Sequence, residues 1–190
     1  MIYIDDHIAE FDLEETLKQV SPQRREKALR FRHEAGRRQS VAVYLLLKKA
    51  LEQEYGITGD LEFGFQEQGK PFLLQYPEIH FSLSHCKVAV ACAVSNHPVG
   101  IDIEHIRPYR PDLGAYVLND EERQQVEGAE RSDVEFIKWW TRKESYLKLT
   151  GEGIRNDLKT LDLSKVQQET VVNLEKEYVY TASSYLEDVG

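Results

Sequence analysis

Cysteine is scarce in this chain. Its 190 residues include only Cys86 and Cys92, and their six-residue spacing suits neither a redox pair nor a zinc cluster, so both are expected to be reduced core residues. Long apolar runs are missing too: no segment approaches the twenty or so residues needed to cross a bilayer. The opening MIYIDDHIAE lacks a basic stretch followed by an apolar one. A soluble cytoplasmic protein with no membrane partner is therefore expected. A general excess of positive charge is also absent, since the net charge is −9. That disfavours broad nucleic-acid binding, which needs an extended positive surface.

With 41% hydrophobic residues, the chain can bury a real core. Its charge is unevenly spread. Residues 18–49 hold ten Lys or Arg against Glu26 and Glu34, a local +8 that leaves −17 on the other 158 residues. One basic region on an acidic body suits a local grip on a compact anion, and equally suits a solvated helix face.

SPQRREKALRF reads as a helix with Ser21 as N-cap and Pro22 in its first position. A second helix is expected from Glu34 to Tyr55, stopped by Gly56. A first strand is expected at Ile2 to Ile4, and after the second helix period two governs LEFGF, IHFSLSH, VAVACAV and VGIDIEH, the later ones read as a meander. Residues 112–127 and 133–149 read as helices, and LKTLDL and EKEYVYTAS as closing strands. The order predicts an α+β fold in two similar-sized parts joined near Pro98, with 1–98 as an N-terminal and 99–190 as a C-terminal subdomain.

Three stretches carry chemistry. In VGIDIEHI, Asp102 and Glu104 leave one face of the strand and Ile101 and Ile103 the other. Paired carboxylates suit Mg²⁺, although the pair alone fits a solvent-facing edge strand better. In the helix containing WWTRKESYLKLTGEG, the positions Ile137, Trp140, Glu144 and Leu147 form a stripe with one carboxylate among apolar residues. A buried carboxylate needs a partner, either Lys148 four residues on or a metal. Lys143, Glu144 and Lys148 lie close to Gly151 and Gly153, where a phosphate-bearing ligand has room to reach the backbone. In FSLSH, Ser82 and Ser84 share a face and His85 opens the turn; phosphate binding and a satisfied turn histidine both fit, and Lys70 in QGKPF is equally two-sided.

Taken together, GKP at 69–71, FSLSH at 81–85, VGIDIE at 99–104 and WWTRKESYLK at 139–148 resemble the 4′-phosphopantetheinyl transferase superfamily, in its surfactin-synthetase-activating (Sfp-type) branch. The likeness runs from SPQRREK through GEGIRNDL. It implies two similar α/β halves packed as a pseudo-dimer within a monomer, with the active site between them. It further implies transfer of the phosphopantetheine arm of coenzyme A to a serine of an acyl or peptidyl carrier protein, releasing 3′,5′-adenosine bisphosphate. Asp102, Glu104 and Glu144 would hold Mg²⁺, and Glu144 is the candidate base. Lys148 would assist the leaving group with Lys143 nearby. Arg24, Lys27 and Arg38 would grip the 3′-phosphate, with Arg37 as the alternative to Arg38, while Lys70, Ser84 and His85 line the coenzyme cleft. A non-catalytic coenzyme A or carrier-binding module and a metal-dependent nuclease are the competing readings.

Overall fold

The computed structural model describes residues 1–153 and 157–186. The chain opens with β1 (Ile2–Asp5) and α1 (Leu13–Gln19), whose N-cap Asp12 accepts the Glu15 amide. α2 (Pro22–Leu29) begins as its sequence dictates: the Ser21 side chain accepts the Arg24 amide and Pro22 takes the first position, where its missing N–H is not needed. α3 (Glu34–Tyr55) ends at Gly56, whose φ of 67° is the left-handed conformation that a glycine adopts without penalty. Then follow the short hairpin β2 (Phe63–Phe65) and β3 (Pro71–Leu73), and the strands β4 (His80–His85), β5 (Val90–Ser95) and β6 (Val99–His105). The remainder is α4 (Pro111–Val117), α5 (Asp120–Gly128), α6 (Ser132–Thr150), two 3₁₀ turns, β7 (Val166–Asn173) and β8 (Tyr178–Tyr185). Helices and antiparallel sheets are thus mixed, as expected of an α+β fold.

Three antiparallel sheets form among the described residues, in the orders β1-β5-β4, β2-β3 and β6-β8-β7. The expected meander stops at β5, because β6 pairs with β8 instead, setting Asp102 opposite Thr181. The expected helix over 112–127 is two helices. Asn119 breaks it by forming a capping box with Glu122, which satisfies the first amides of α5 better than a continuous turn would. LKTLDL is not a strand: it falls in the two 3₁₀ turns, Leu158–Thr160 and Leu163–Lys165. The strand there is VQQETVVN, whose pairing with β8 alone tolerates its polar, half-exposed side chains.

α3 packs on the first sheet through a core that includes Tyr44, Leu47 and Phe81, and α6 packs on the third through Phe136, Ile137 and Leu147. Between the first and third sheets lies a core dominated by small side chains, Ala89, Ala91 and Ala93 against Ile101 and Ile103. Small residues let β4 and β6 run close, joined by side chains: Ser82 Oγ accepts the Ile101 amide (3.0 Å) and Ser84 Oγ the Ile103 amide (3.2 Å). Gly100 sets the other contact of β6, since a Cβ there would meet Ser145 O of α6 at 2.0 Å. That glycine seats α6 directly on the strand that carries Asp102.

Candidate active site: a groove lined by α2, α3, β4 and α6

Alternation on β6 sends Ile101 and Ile103 into the core and turns Asp102 and Glu104 to the other face, as expected. Asp102 is nonetheless buried, at 4% exposure. Its Oδ1 accepts from Ser84 Oγ (2.8 Å) and Lys148 Nζ (2.7 Å), while Oδ2 has no partner. Lys148 therefore pairs with Asp102 across to β6 and also donates to Ser84 Oγ (2.9 Å). Glu104 is tied to Arg107 (2.9 Å). Glu144, half-buried on α6, has its carboxyl pushed up by burial first and then by the charges of Asp102 and Glu104, against the opposing pull of Lys148.

Two of the expected site residues are elsewhere. Lys143 is not beside a diphosphate: it is fully buried, and its ammonium donates to Glu122 Oε2 (2.7 Å), Leu158 O (2.9 Å) and Val117 O (3.1 Å). One position round the helix from Glu144, about 100°, turns its side chain toward α5. Arg38 lies on α3 but bonds Glu34 (2.8 Å) and the Phe11 carbonyl (2.6 Å), and it lines none of the cavities described below. Arg37, the alternative, donates to the Phe31 carbonyl (2.9 Å).

Arg24, Lys27, Lys70, Ser84, His85, Glu144 and Lys148 line one groove made of three adjoining cavities, while Asp102 and Glu104 line none of them and Asp102 reaches the groove only through its bonds to Lys148 and Ser84. The first, about 290 Å³, is lined by Lys70, Phe81, Leu83, Glu144, Lys148 and the Gly151–Gly153 turn. A second, about 280 Å³, shares Lys148 and continues past Ser84 and His85 to Arg24 and Lys27. The largest, about 610 Å³, lies behind Arg24 and Lys27. Arg24 and Lys27 place two cations at the α2 end, where Asp60 and Glu62 also line the largest cavity. Arg24 is buried with its Nε unpartnered, and burial pushes its guanidinium down to about 10. Lys27 is pushed down by burial and by the neighbouring charges of Arg24 and Arg30. Lys70 donates to Leu149 O at the end of α6 (3.1 Å), and burial lowers its pKa too. Sequence reasoning missed Ser40 and Tyr44, which also line the groove; their i, i+4 spacing at the head of an aliphatic run was the available signal. The two cysteines are buried and free, and burial raises both thiols, Cys92 to about 12.

Among the described residues, no three His, Cys, Asp or Glu side chains come close enough together to hold a metal ion. The donor set still has the character a hard cation requires. Asp102 keeps a buried oxygen free, and Glu144 feels the charges of both Asp102 and Glu104. A hard divalent cation that completes its shell with phosphate oxygens and water needs only one or two of these carboxylates from the protein. So the groove offers Glu144 with Lys70 and Lys148 at one end and Arg24 with Lys27 at the other, and Lys148 ties the first end to the buried Asp102.

A comparison with known proteins agrees with that chemistry. Residues 98–187 match the model of the 4′-phosphopantetheinyl transferase superfamily. A 4′-phosphopantetheinyl transferase from Bacillus subtilis is 31% identical over 157 residues, covering 80% of this chain and 70% of that protein. The 4′-phosphopantetheinyl transferase psf-1 of Bacillus pumilus is 34% identical over 88% of this chain and 74% of its own length, and the transferase Sfp of Bacillus subtilis (strain 168) is 28% identical over 92% and 79%. With matches of this extent, the chain belongs to the 4′-phosphopantetheinyl transferase superfamily. Its likeness to Sfp and psf-1 places it in the Sfp-type branch.

Proposed function

We propose that this protein transfers the 4′-phosphopantetheine arm of coenzyme A to a serine of an apo acyl or peptidyl carrier protein, releasing 3′,5′-adenosine bisphosphate. The observation that carries the reading is the layout of the groove: buried, partner-starved Arg24 with Lys27 at one end, and Glu144 with Lys148, itself bonded to the buried Asp102, at the other. Coenzyme A has the matching shape, with a 3′-phosphate at one end and a diphosphate at the reacting end. Residues 1–98 would supply the nucleotide grip and 99–190 the reacting end, two halves packed as a pseudo-dimer in a monomer.

The chain's own groups support each step. Arg24 and Lys27 bind the 3′-phosphate and fix the register of the coenzyme, with His85 and Lys70 along its path. Glu144, its carboxyl already biased toward holding a proton, takes the proton of the carrier serine. The serine oxygen bonds to the β-phosphorus as the bond from that phosphorus to the bridging oxygen breaks. Lys148 donates a hydrogen bond toward the departing bisphosphate, releasing Asp102 Oδ1 as it does so. Ser84 holds Asp102 in place through its hydroxyl. Mg²⁺, when bound by Asp102, Glu104 and Glu144, would neutralise charge on the diphosphate.

The deciding experiment is intact mass spectrometry of apo acyl and peptidyl carrier proteins incubated with this protein, coenzyme A and Mg²⁺, with an EDTA control. A metal-dependent gain of one phosphopantetheine, lost when the carrier serine is replaced by alanine, establishes the reaction. Coenzyme A binding without any gain supports the non-catalytic module instead.

A further inference from the structure

The 610 Å³ cavity behind Arg24 and Lys27 lies between α2, α3 and the β2–β3 hairpin. Two buried polar atoms on residues that line it have no partner, Arg24 Nε and the Tyr44 hydroxyl; the two residues are only 9% and 2% exposed. They are neighbours, with the Arg24 guanidinium carbon 5.0 Å from the centre of the Tyr44 ring. The surrounding Leu61, Phe63 and Phe81 side chains offer no hydrogen bond. A buried hydroxyl and a buried guanidinium N–H left unpaired each carry a desolvation penalty in the free protein, which a ligand acceptor would relieve. Asp60 and Glu62 also line the cavity, but among the described residues neither forms an ion pair with Arg24, so beside the Tyr44 hydroxyl the charge of Arg24, joined by Lys27, favours an anionic acceptor. Two cations and a hydroxyl donor match a phosphate monoester better than a carboxylate, because a phosphate presents three oxygens to them.

We propose that Tyr44 is a specificity-determining residue that donates its hydroxyl hydrogen bond to the 3′-phosphate of coenzyme A. The inference rests on the transfer reading above and extends it to a residue that no motif of the sequence marks. It also predicts two effects of opposite sign for one substitution. Tyr44→Phe removes a hydroxyl that is unpaired in the free protein, so the free variant melts higher, by about 1–3 °C. The same change removes a donor from the bound state, so coenzyme A binds about tenfold more weakly. 3′-Dephospho-coenzyme A binds both proteins alike, and turnover shows a raised KM with kcat unchanged.

Calorimetric titration of wild type and Tyr44→Phe with coenzyme A and 3′-dephospho-coenzyme A, beside thermal melts of the free proteins, tests this. Equal losses on the two ligands would place the hydroxyl against the ribose or base and overturn the phosphate assignment. No loss on either overturns the role of Tyr44, and a lower melting temperature shows that the hydroxyl is paired in the free protein, which removes the argument. Wild-type protein that fails to bind coenzyme A overturns the transfer reading itself. Wild-type binding with an unaffected variant overturns only the inference about Tyr44.

Discussion

Two lysines five residues apart on α6 show what separates a scaffold from a site. Lys143 is fully buried and completely satisfied: its ammonium has three acceptors, and Glu122 is held in turn by the Asn119 amide. Lys148 is part-exposed and pairs with an aspartate that keeps one oxygen unbonded beside a cavity. Both are Lys–carboxylate contacts of 2.7 Å, so distance does not distinguish them. What differs is how completely the surrounding groups are paired. Closed networks hold helices together, and open ones leave bonding capacity for a ligand.

The comparison can be broken most sharply at Glu144, next to Lys143 in sequence but facing the groove. Glu144→Gln is expected to lower transfer by a factor of about 10² to 10⁴ while keeping the fold. It should also raise the stability of the free protein at neutral pH. A carboxyl whose folded pKa is raised above its ordinary 4.5 stabilises fully only below that value, and the contribution is lost as pH rises through the folded pKa. The gain from glutamine should thus be present at pH 7 and vanish in acid, as urea denaturation at several pH values would show. Unchanged turnover would remove Glu144 from the mechanism.

Lys143→Met leaves Glu122 buried without its cation and is expected to cost about 3–5 kcal/mol of stability, with most of that recovered in the Lys143→Met, Glu122→Leu double variant. A double variant that recovers stability and turnover together confirms a structural pair. Next in size is Arg24→Ala, expected to weaken coenzyme A binding by about 10- to 100-fold, since it removes charge-assisted contacts to a phosphate. Lys148→Met leaves Asp102, as buried as Glu122, with only the Ser84 hydroxyl, so it should cost about 2–3 kcal/mol of stability and also depress kcat. The smallest effect belongs to Arg38→Ala, with coenzyme A affinity within about threefold of wild type, because its guanidinium already has Glu34 and Phe11 as partners. A large loss there by calorimetry would return Arg38 to the phosphate site.

Much of this was legible in the sequence where a local rule decides the outcome. Ser21-Pro22 fixed the start of α2, Gly56 the end of α3, and alternation in VGIDIEH the two faces of β6. The carboxylate on the apolar stripe of α6 marked Glu144 correctly as a half-buried groove residue. Where long-range packing decides, the reading failed. Which of Lys143 and Lys148 faces the groove depends on where α5 docks, and no local pattern shows that. Arg38 is a different case: its phosphate role was implied only by the family resemblance, while Glu34 four residues earlier was a readable partner. β7 was missed because an edge strand needs little apolar character, and the two unpaired groups of the large cavity become visible only when the whole chain is assembled around them.

The serine contacts between β4 and β6 have a dynamic consequence. The Ile101 and Ile103 amides donate to side-chain hydroxyls rather than to a neighbouring strand's carbonyls. Rotation about a single serine χ1 bond releases them without melting any sheet. These two amide protons are therefore a built-in clock for separation of the first and third sheets: in deuterated solvent they should exchange ahead of the β6–β8 ladder beside them, and slow when a ligand bridges the groove.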